Sequence, residues 1–325
     1  MVLFRLSFLA ALATDVAASY SPRISSIIKQ AKRGENFNVP LQSLLHERRD
    51  GPEADAESAN ALQTHDLIDL ESLPFASAAF VSIDAIQNGH SNLDLSHASR
   101  VDTHVHIVPD FYLGLVLTTG QSPTPSHLQE HHIHVHAGLD GFHDNEAYSV
   151  GLAKLLNEWL AELRRAFPKR FEFYAVMPLP YTPAAIKEAK YALTSLGAIG
   201  LGLLTNHEGL YLGNAALAPF FAALNATVRG PHVCIVHPSE PLIRINGTLV
   251  VADPTKQCST ALYLTGQVEF YFETARALMD LTVSRTITNY TNIHYAFGHV
   301  NGAFPSIEHR FIKTIPGFEQ APRRP

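Results

Sequence analysis

From Val101 onward, short apolar runs alternate with longer segments whose apolar residues recur at helical spacing. We predict strands at Val101–Val108, Phe171–Met177, Ala198–Leu204, His232–His237 and Ile293–Phe297. Helices are predicted between them at 146–167, 182–197, 214–229 and 268–284, the first with Leu152, Leu155, Leu156, Trp159, Leu160 and Leu163 on one face. Strands that alternate with helices predict βα units around a parallel sheet, and therefore an α/β fold for residues 101–325.

Residues 19–100 differ in composition and periodicity from the rest of the chain. Stretches such as 46–58 are polar, poor in aromatic residues and without sustained periodicity. We interpret this part as a polar N-terminal extension or pro-segment, some of which can still pack on the domain that follows it.

The first 18 residues have the layout of a secretory signal peptide. Arg5 precedes the apolar run Leu6–Ala13, and small residues follow at 17–19. We expect secretion on this basis; the alternative is the first turn of a buried helix in a cytoplasmic protein. Neither this run nor any later one approaches the ~20 apolar residues of a membrane helix, so we expect no membrane insertion.

Composition and charge narrow the function classes. With 46% hydrophobic and 17% charged residues, the chain is neither wholly disordered nor a coiled coil. A formal net charge of −6 provides no basic field for nucleic acid, which we exclude as a partner. Cys234 and Cys258 allow one disulfide at most. The unusual count is histidine, at 18 residues.

The first candidate for chemistry is the pair His104 and His106, separated by one residue on a predicted strand. Alternate residues of a strand point to the same face, so both imidazoles can bind one metal ion. Chance pairs of this kind are expected in a histidine-rich chain, and the run His131–His136 contains competitors. We do not expect that run to be the primary metal site, because no neighbouring strand ends in a carboxylate or histidine that could supply the further ligands.

Two further histidines stand where predicted strands end. His237 closes the strand His232–His237, and His299 follows the strand Ile293–Phe297. The carboxyl ends of barrel strands are where βα barrels carry their functional groups. Each histidine alone is more readily explained as a loop residue that hydrogen-bonds to the backbone. Together with the strand bearing His104, they favour a shared site.

Four segments in order resemble the decarboxylase branch of the amidohydrolase superfamily, which includes aminocarboxymuconate-semialdehyde, γ-resorcylate and fungal 6-methylsalicylate decarboxylases. They are 101–112, 200–213, 236–241 and 298–305. The resemblance implies a TIM-like (β/α)8 barrel. It also implies metal ligation by His104, His106 and His237, and an acid/base role for His299.

The resemblance further implies a metal-dependent, non-oxidative decarboxylase that uses one divalent ion, Zn²⁺ or Mn²⁺. An ion held by histidines keeps positions open for water or substrate oxygens. Asn206, His207 and Glu208 follow the strand Ala198–Leu204 and are candidates for substrate contact, although Asn, Glu and Gly are also ordinary turn residues. We expect a small aromatic or unsaturated carboxylic acid as substrate and a homodimer as a candidate assembly.

Two departures from the family pattern keep alternatives open. The family has a further aspartate ligand beyond the second histidine strand, whereas no aspartate follows His299 here. We therefore expect a barrel that is incomplete at its C-terminus. The run His131–His136 also replaces a regular second helix and strand. A metal-dependent hydrolase of the same superfamily, or a truncated and catalytically impaired relative, remains the alternative.

Overall fold

The computed structural model describes residues 20–33, 68–88, 109–118, 143–168, 171–227, 230–252 and 265–314. The chain forms two compact units that divide between Ile199 and Gly200. The predicted signal peptide, the strand Val101–Val108 with His104 and His106, and the run His131–His136 lie outside the described residues. No helix among the described residues is long and apolar enough to span a membrane.

The first unit is mainly helical in its described part. Its elements are α1 (Pro22–Arg33), a 3₁₀ turn (Leu70–Ser72), α2 (Ala76–Asn88), α3 (Asp110–Thr118), α4 (Glu146–Ala166), β1 (Tyr174–Val176), α5 (Thr182–Tyr191) and a π-helical turn (Ala192–Leu196). Helix α4 begins where the Asn145 side chain accepts a 3.1 Å hydrogen bond from the Tyr148 N–H. Its apolar face is buried, with Trp159 only 1% exposed.

Two of these helices belong to the polar segment 19–100, and both contribute to the core. Ile24 and Ile27 of α1 and Ile83 of α2 are fully buried. Arg23 of α1 forms an ion pair with the buried Glu158 of α4. Parts of the N-terminal segment are therefore folded helices with buried residues. The domain boundary near residue 100 stays a prediction.

The second unit contains three parallel strands, which pair in the order β2, β5, β8. Its elements are β2 (Gly200–Leu204), β3 (Asn206–His207), β4 (Leu210–Tyr211), a 3₁₀ turn (Ala215–Leu217), α6 (Ala218–Asn225), β5 (His232–His237), β6 (Leu242–Ile245), β7 (Thr248–Val251), α7 (Thr265–Val283), α8 (Thr286–Asn289), β8 (Ile293–Phe297), a 3₁₀ turn (His299–Asn301) and α9 (Phe304–Thr314). All of β2 is buried, as expected for a strand of a parallel sheet.

The predicted α/β class is confirmed, and β5 and β8 have the predicted bounds. A closed barrel is not seen in the part of the chain that the structure describes. The helix predicted at 214–229 is wrong in extent: a 3₁₀ turn precedes α6, which begins at Ala218 and ends at Asn225. Pro219 accounts for the new start, since proline lacks the N–H that an interior helical position must donate but fits the first turn of a helix.

Candidate active site

The carboxyl ends of β2, β5 and β8 meet at one edge of the sheet. Leu204 lies opposite His237, and Val236 lies opposite Phe297. Beyond the strands, the Thr205 N–H donates to the His237 carbonyl at 3.0 Å, and the Gly298 N–H donates to the Val236 carbonyl at 3.0 Å. The residues that follow these strands are therefore held close together.

His237 is the last residue of β5 and is 1% exposed. Its Nδ1 lies 2.8 Å from the Pro238 carbonyl oxygen. Because a carbonyl oxygen only accepts hydrogen bonds, this contact requires a proton on Nδ1 and leaves the lone pair of the neutral ring on Nε2. That is the tautomer a metal-ligating imidazole needs when its other nitrogen is oriented by the backbone.

His299 lies beside His237. The two ring centroids are 5.5 Å apart with an interplanar angle of 67°. His299, Val300 and Asn301 have φ values of 53°, 54° and 64°, three consecutive residues in the left-handed region. Such a run is strained for residues with a Cβ and is typical of functional sites. The structure therefore brings together two of the four histidines predicted from strand ends.

Helix α7 supports both histidines from the side. The Phe270 and His237 rings pack edge-to-face with their centroids 6.3 Å apart. The centroids of the Tyr271 and His299 rings are 5.7 Å apart. The Tyr271 carbonyl also accepts a 2.9 Å hydrogen bond from the Ala303 N–H. Sequence reasoning missed Phe270 and Tyr271, because nothing in a helical pattern shows which turn faces a strand end.

The predicted substrate residues lie just beyond β2. Asn206 and His207 form β3 and are 0% and 2% exposed. The Asn206 amide donates to the Leu242 carbonyl at 2.7 Å, and its oxygen accepts from the Gly209 N–H at 2.8 Å. His207 Nε2 accepts from the Leu204 N–H at 3.2 Å. Asn206 and His207 therefore lie in the buried strand of a short hairpin with β4, and not in an exposed turn.

Glu208 occupies the turn of this hairpin with φ 50° and is 5% exposed. Arg244 of β6 donates from Nε to the Glu208 carbonyl at 3.1 Å, and its Nη2 lies 3.4 Å from the Glu208 carboxylate. The carboxylate is thus buried beside a guanidinium. Arg244 joins the hairpin that follows β2 to the hairpin that follows β5.

A polar cluster around the buried Glu273 joins the same hairpin to α7. Tyr211 of β4 donates a 2.8 Å hydrogen bond to Glu273 Oε1 on α7, and Arg276 Nη1 lies 2.7 Å from that oxygen. Burial raises the pKa of Glu273, and burial, with the Glu273 charge second, raises the pKa of Tyr211. Sequence reasoning missed this cluster; its signal is the pair of glutamates at 269 and 273 on an otherwise apolar helix face.

Of the three histidines expected to bind the metal ion, one lies in the described part of the chain. His237 fits a ligand by burial and tautomer. His104 and His106 lie outside the described residues, and within those residues no three His, Cys, Asp or Glu side chains converge.

Sequence reasoning also missed the buried contact between Thr205 and Ser239. The Ser239 N–H donates to Thr205 Oγ1 at 3.0 Å and so links the ends of β2 and β5.

Comparison with known proteins places this site in a family. The amidohydrolase family model matches residues 101–324, more than half of the chain. Decarboxylase yanB of Aspergillus niger is 30% identical over 233 residues, 65% of this chain and 61% of that protein. The 6-methylsalicylic acid decarboxylase of Penicillium expansum is 31% identical over 179 residues, 54% of this chain and 51% of that protein. The chain thus spans less than two thirds of either relative.

Among solved structures, 2,6-dihydroxybenzoate decarboxylase complexed with 2,6-dihydroxybenzoate is 22% identical, with a TM-score of 0.42, and the match covers 54% of this chain and 53% of that one. The family match includes every strand-end histidine described above. It extends over the whole of the second unit as far as residue 324. The chain belongs to the amidohydrolase family.

Proposed function

We propose that this protein is a metal-dependent, non-oxidative decarboxylase of a small aromatic or unsaturated carboxylic acid. The observation that carries the proposal is the contact between His237 and His299, with ring centroids 5.5 Å apart at the carboxyl ends of neighbouring parallel strands. The decarboxylase names of its relatives in Aspergillus and Penicillium support it.

In the proposed reaction, the carbon that bears the carboxylate gains a proton, and the bond to the carboxylate then breaks. The electron pair of that bond returns to the unsaturated system, and carbon dioxide leaves. His104, His106 and His237 would hold the ion, either Zn²⁺ or Mn²⁺. When bound, a divalent ion supplies positive charge that orients and neutralises substrate oxygens.

His299 is the residue to which we assign the movement of the proton. Its ring lies beside His237, so a substrate that His237 helps to position also lies within reach of His299. The left-handed backbone at 299–301 and the Tyr271 ring fix where the His299 imidazole lies. A positioned acid or base typically contributes about 10²–10⁴-fold to a rate.

We assign the walls of the substrate pocket to the hairpin that follows β2. Both ends of the Asn206 amide are hydrogen-bonded to the backbone, so Asn206 shapes the turn. His207 and Glu208, its neighbours, are assigned to contact with the substrate. The Arg244 guanidinium lies beside the buried Glu208 carboxylate, where its positive charge also favours an anionic substrate.

The test combines metal analysis of the purified protein with carbon dioxide release from a panel of salicylate-like and muconate-like acids. We expect about one divalent ion per chain and turnover that His299→Ala lowers by about 10²–10⁴-fold while metal content is retained. His294→Ala is the matched control, because His294 is an exposed histidine on β8, the strand that precedes His299. Hydrolysis of an ester or lactone without decarboxylation would contradict the proposal and identify the protein as a hydrolase. Absence of both decarboxylation and hydrolysis would identify it as a catalytically impaired relative.

We further propose that the chain enters the secretory pathway and forms a homodimer. The supports are the leader-like pattern of residues 1–18 and the resemblance to the decarboxylase branch. Fractionation of cells that express the native N-terminus tests the first proposal, since retention in the cytoplasm would contradict it. Light scattering of the purified protein tests the second, since a monomeric mass would contradict it.

A further inference from the structure

The hydrogen bond between Tyr211 and Glu273 ties the hairpin β3–β4 to helix α7. Tyr211 lies directly opposite Asn206 in this hairpin. Its hydroxyl donates to Glu273 Oε1 at 2.8 Å. Because Tyr211 pairs with Asn206 across the hairpin, a restraint on Tyr211 is also a restraint on Asn206 and on His207 beside it.

Helix α7 at the same time carries the ring contacts of both strand-end histidines. Phe270, three residues before Glu273, contacts His237, and Tyr271 contacts His299. One helix therefore contacts the histidine side of the site through one turn and the hairpin side through the next. The distance between the two sides depends on how firmly the hairpin is held on α7.

The surroundings of Glu273 explain why this contact is firm. Glu273 is 0% exposed, and Arg276 Nη1 lies 2.7 Å from the oxygen that also accepts from Tyr211. A second buried acid, Glu269, is 6% exposed and shares the same guanidinium at 3.6 Å. Among the described residues Glu273 Oε2 has no hydrogen-bond partner. Burial raises the pKa of Glu273 and so favours a proton on this carboxyl.

We propose that Tyr211 and Glu273 are positioning residues that hold the substrate hairpin at a fixed distance from His237 and His299. The proposal deepens, and rests on, the decarboxylase function proposed above. Neither side chain touches the reacting atoms; both act through Asn206 and His207. Loss of the contact should therefore weaken substrate binding more than it slows the chemical step.

The kinetic test compares Tyr211→Phe with Tyr290→Phe, which removes a hydroxyl from the same unit at a site away from the hairpin. We expect Tyr211→Phe to raise KM about tenfold and to change kcat by less than about threefold, with metal content unchanged. Glu273→Ala should have the same effect. Glu273→Gln should have a KM much closer to that of the wild type than Glu273→Ala, because glutamine keeps an oxygen that accepts from the Tyr211 hydroxyl.

A second measurement does not depend on turnover. Hydrogen–deuterium exchange of the backbone at 205–212 should accelerate in Tyr211→Phe and Glu273→Ala, and remain at the wild-type rate in Tyr290→Phe. Unchanged exchange in Tyr211→Phe would overturn the proposal, as would a fall in kcat without a rise in KM. If the wild-type protein turns over no acid, the decarboxylase proposal fails, and the exchange rates alone decide whether Tyr211 and Glu273 hold the hairpin.

Discussion

Asn157 donates a 2.7 Å hydrogen bond to Glu188 Oε1, and both residues are buried between α4 and α5. The same asparagine also donates to the Val176 carbonyl at 2.9 Å and accepts from the Val176 N–H at 2.7 Å. A fully buried side chain thus satisfies both backbone groups of a β1 residue and one carboxylate oxygen. It joins three elements of the first unit.

Asn157→Leu should destabilise the first unit by about 3 kcal/mol or more, because three buried polar groups lose their hydrogen-bond partner. The change leaves the Val176 backbone groups and a carboxylate oxygen buried without their partner, and each such group costs about 1–3 kcal/mol. Urea unfolding followed by circular dichroism measures the loss. Asn289→Ala, at an exposed position, is the control and should change the free energy of unfolding by less than about 1 kcal/mol. Equal stability of Asn157→Leu and wild type would show that the network contributes nothing.

Glu188→Gln should stabilise the protein at neutral pH. Burial raises the pKa of Glu188 above its usual 4.5, against the opposing effects of Lys154 and of the Asn157 hydrogen bond. A carboxyl whose pKa is raised on folding binds more protons in the folded state, so its contribution to stability falls as pH rises from about 4.5 through the folded pKa. Glutamine cannot ionise and still accepts the hydrogen bond from Asn157.

The measurement for Glu188→Gln is the free energy of unfolding at several pH values. The variant and wild type should be similar below pH 4.5, where both side chains are neutral, and should diverge in favour of the variant as pH rises. A difference that shrinks with rising pH would contradict this sign. Glu172→Gln, at an exposed ion pair with Arg164, is a matched control in the same unit.

Cys234 should resist thiol reagents in the folded protein. It is fully buried in β5, and burial raises the pKa of its thiol to about 12, so almost no reactive thiolate exists near pH 8. The structure describes it as a free cysteine. In a Cys258→Ser background, Ellman's reagent should label Cys234 only after denaturant is added. Rapid labelling of the native protein would show that β5 opens readily.

The bounds of β5 and β8 were predictable because each strand is a short apolar run between turn residues, followed by a histidine or ending in one. The positions of His237 and His299 beside each other follow from the same pattern, since parallel strands present their carboxyl ends at one edge. The hairpin at 206–211 was not predictable in this way. Its polar residues are typical of a turn, and only the long-range contacts from Leu242 and Glu273 make them buried.

The helices of the N-terminal segment were not predictable from the sequence for the same reason. Residues 22–33 are polar in sequence, yet the isoleucines at 24, 27 and 28 form one buried stripe along a short helix. A single helical stripe within a long polar stretch is a weak signal, because its burial depends on partners far away in sequence. The left-handed residues 299–301 have only a weak sequence signal: none of them is glycine, and of the three only His299 and Asn301 are of types that favour positive φ.

Gly302→Ala should disturb the loop that carries His299. Gly302 has φ 61° and ψ −131°, a conformation that residues with a Cβ rarely adopt, and an added Cβ would lie 2.2 Å from the Tyr271 carbonyl oxygen. That oxygen accepts from the Ala303 N–H, so the clash forces the loop away from α7. Gly247→Ala is the matched control, because Gly247 has φ 83° but open space around its Cβ.

Backbone strain alone costs about 1–3 kcal/mol, so both glycine variants should lose some stability. Only Gly302→Ala should also lower kcat, because only there does the clash move His299 relative to His237. The measurements are the free energy of unfolding and, for an acid that the wild type decarboxylates, kcat with metal content. An equal kcat for Gly302→Ala and Gly247→Ala would mean that the contact between the loop and Tyr271 does not set the position of His299. A selective loss in Gly302→Ala, with metal content retained, would place the control of His299 in the backbone of this loop.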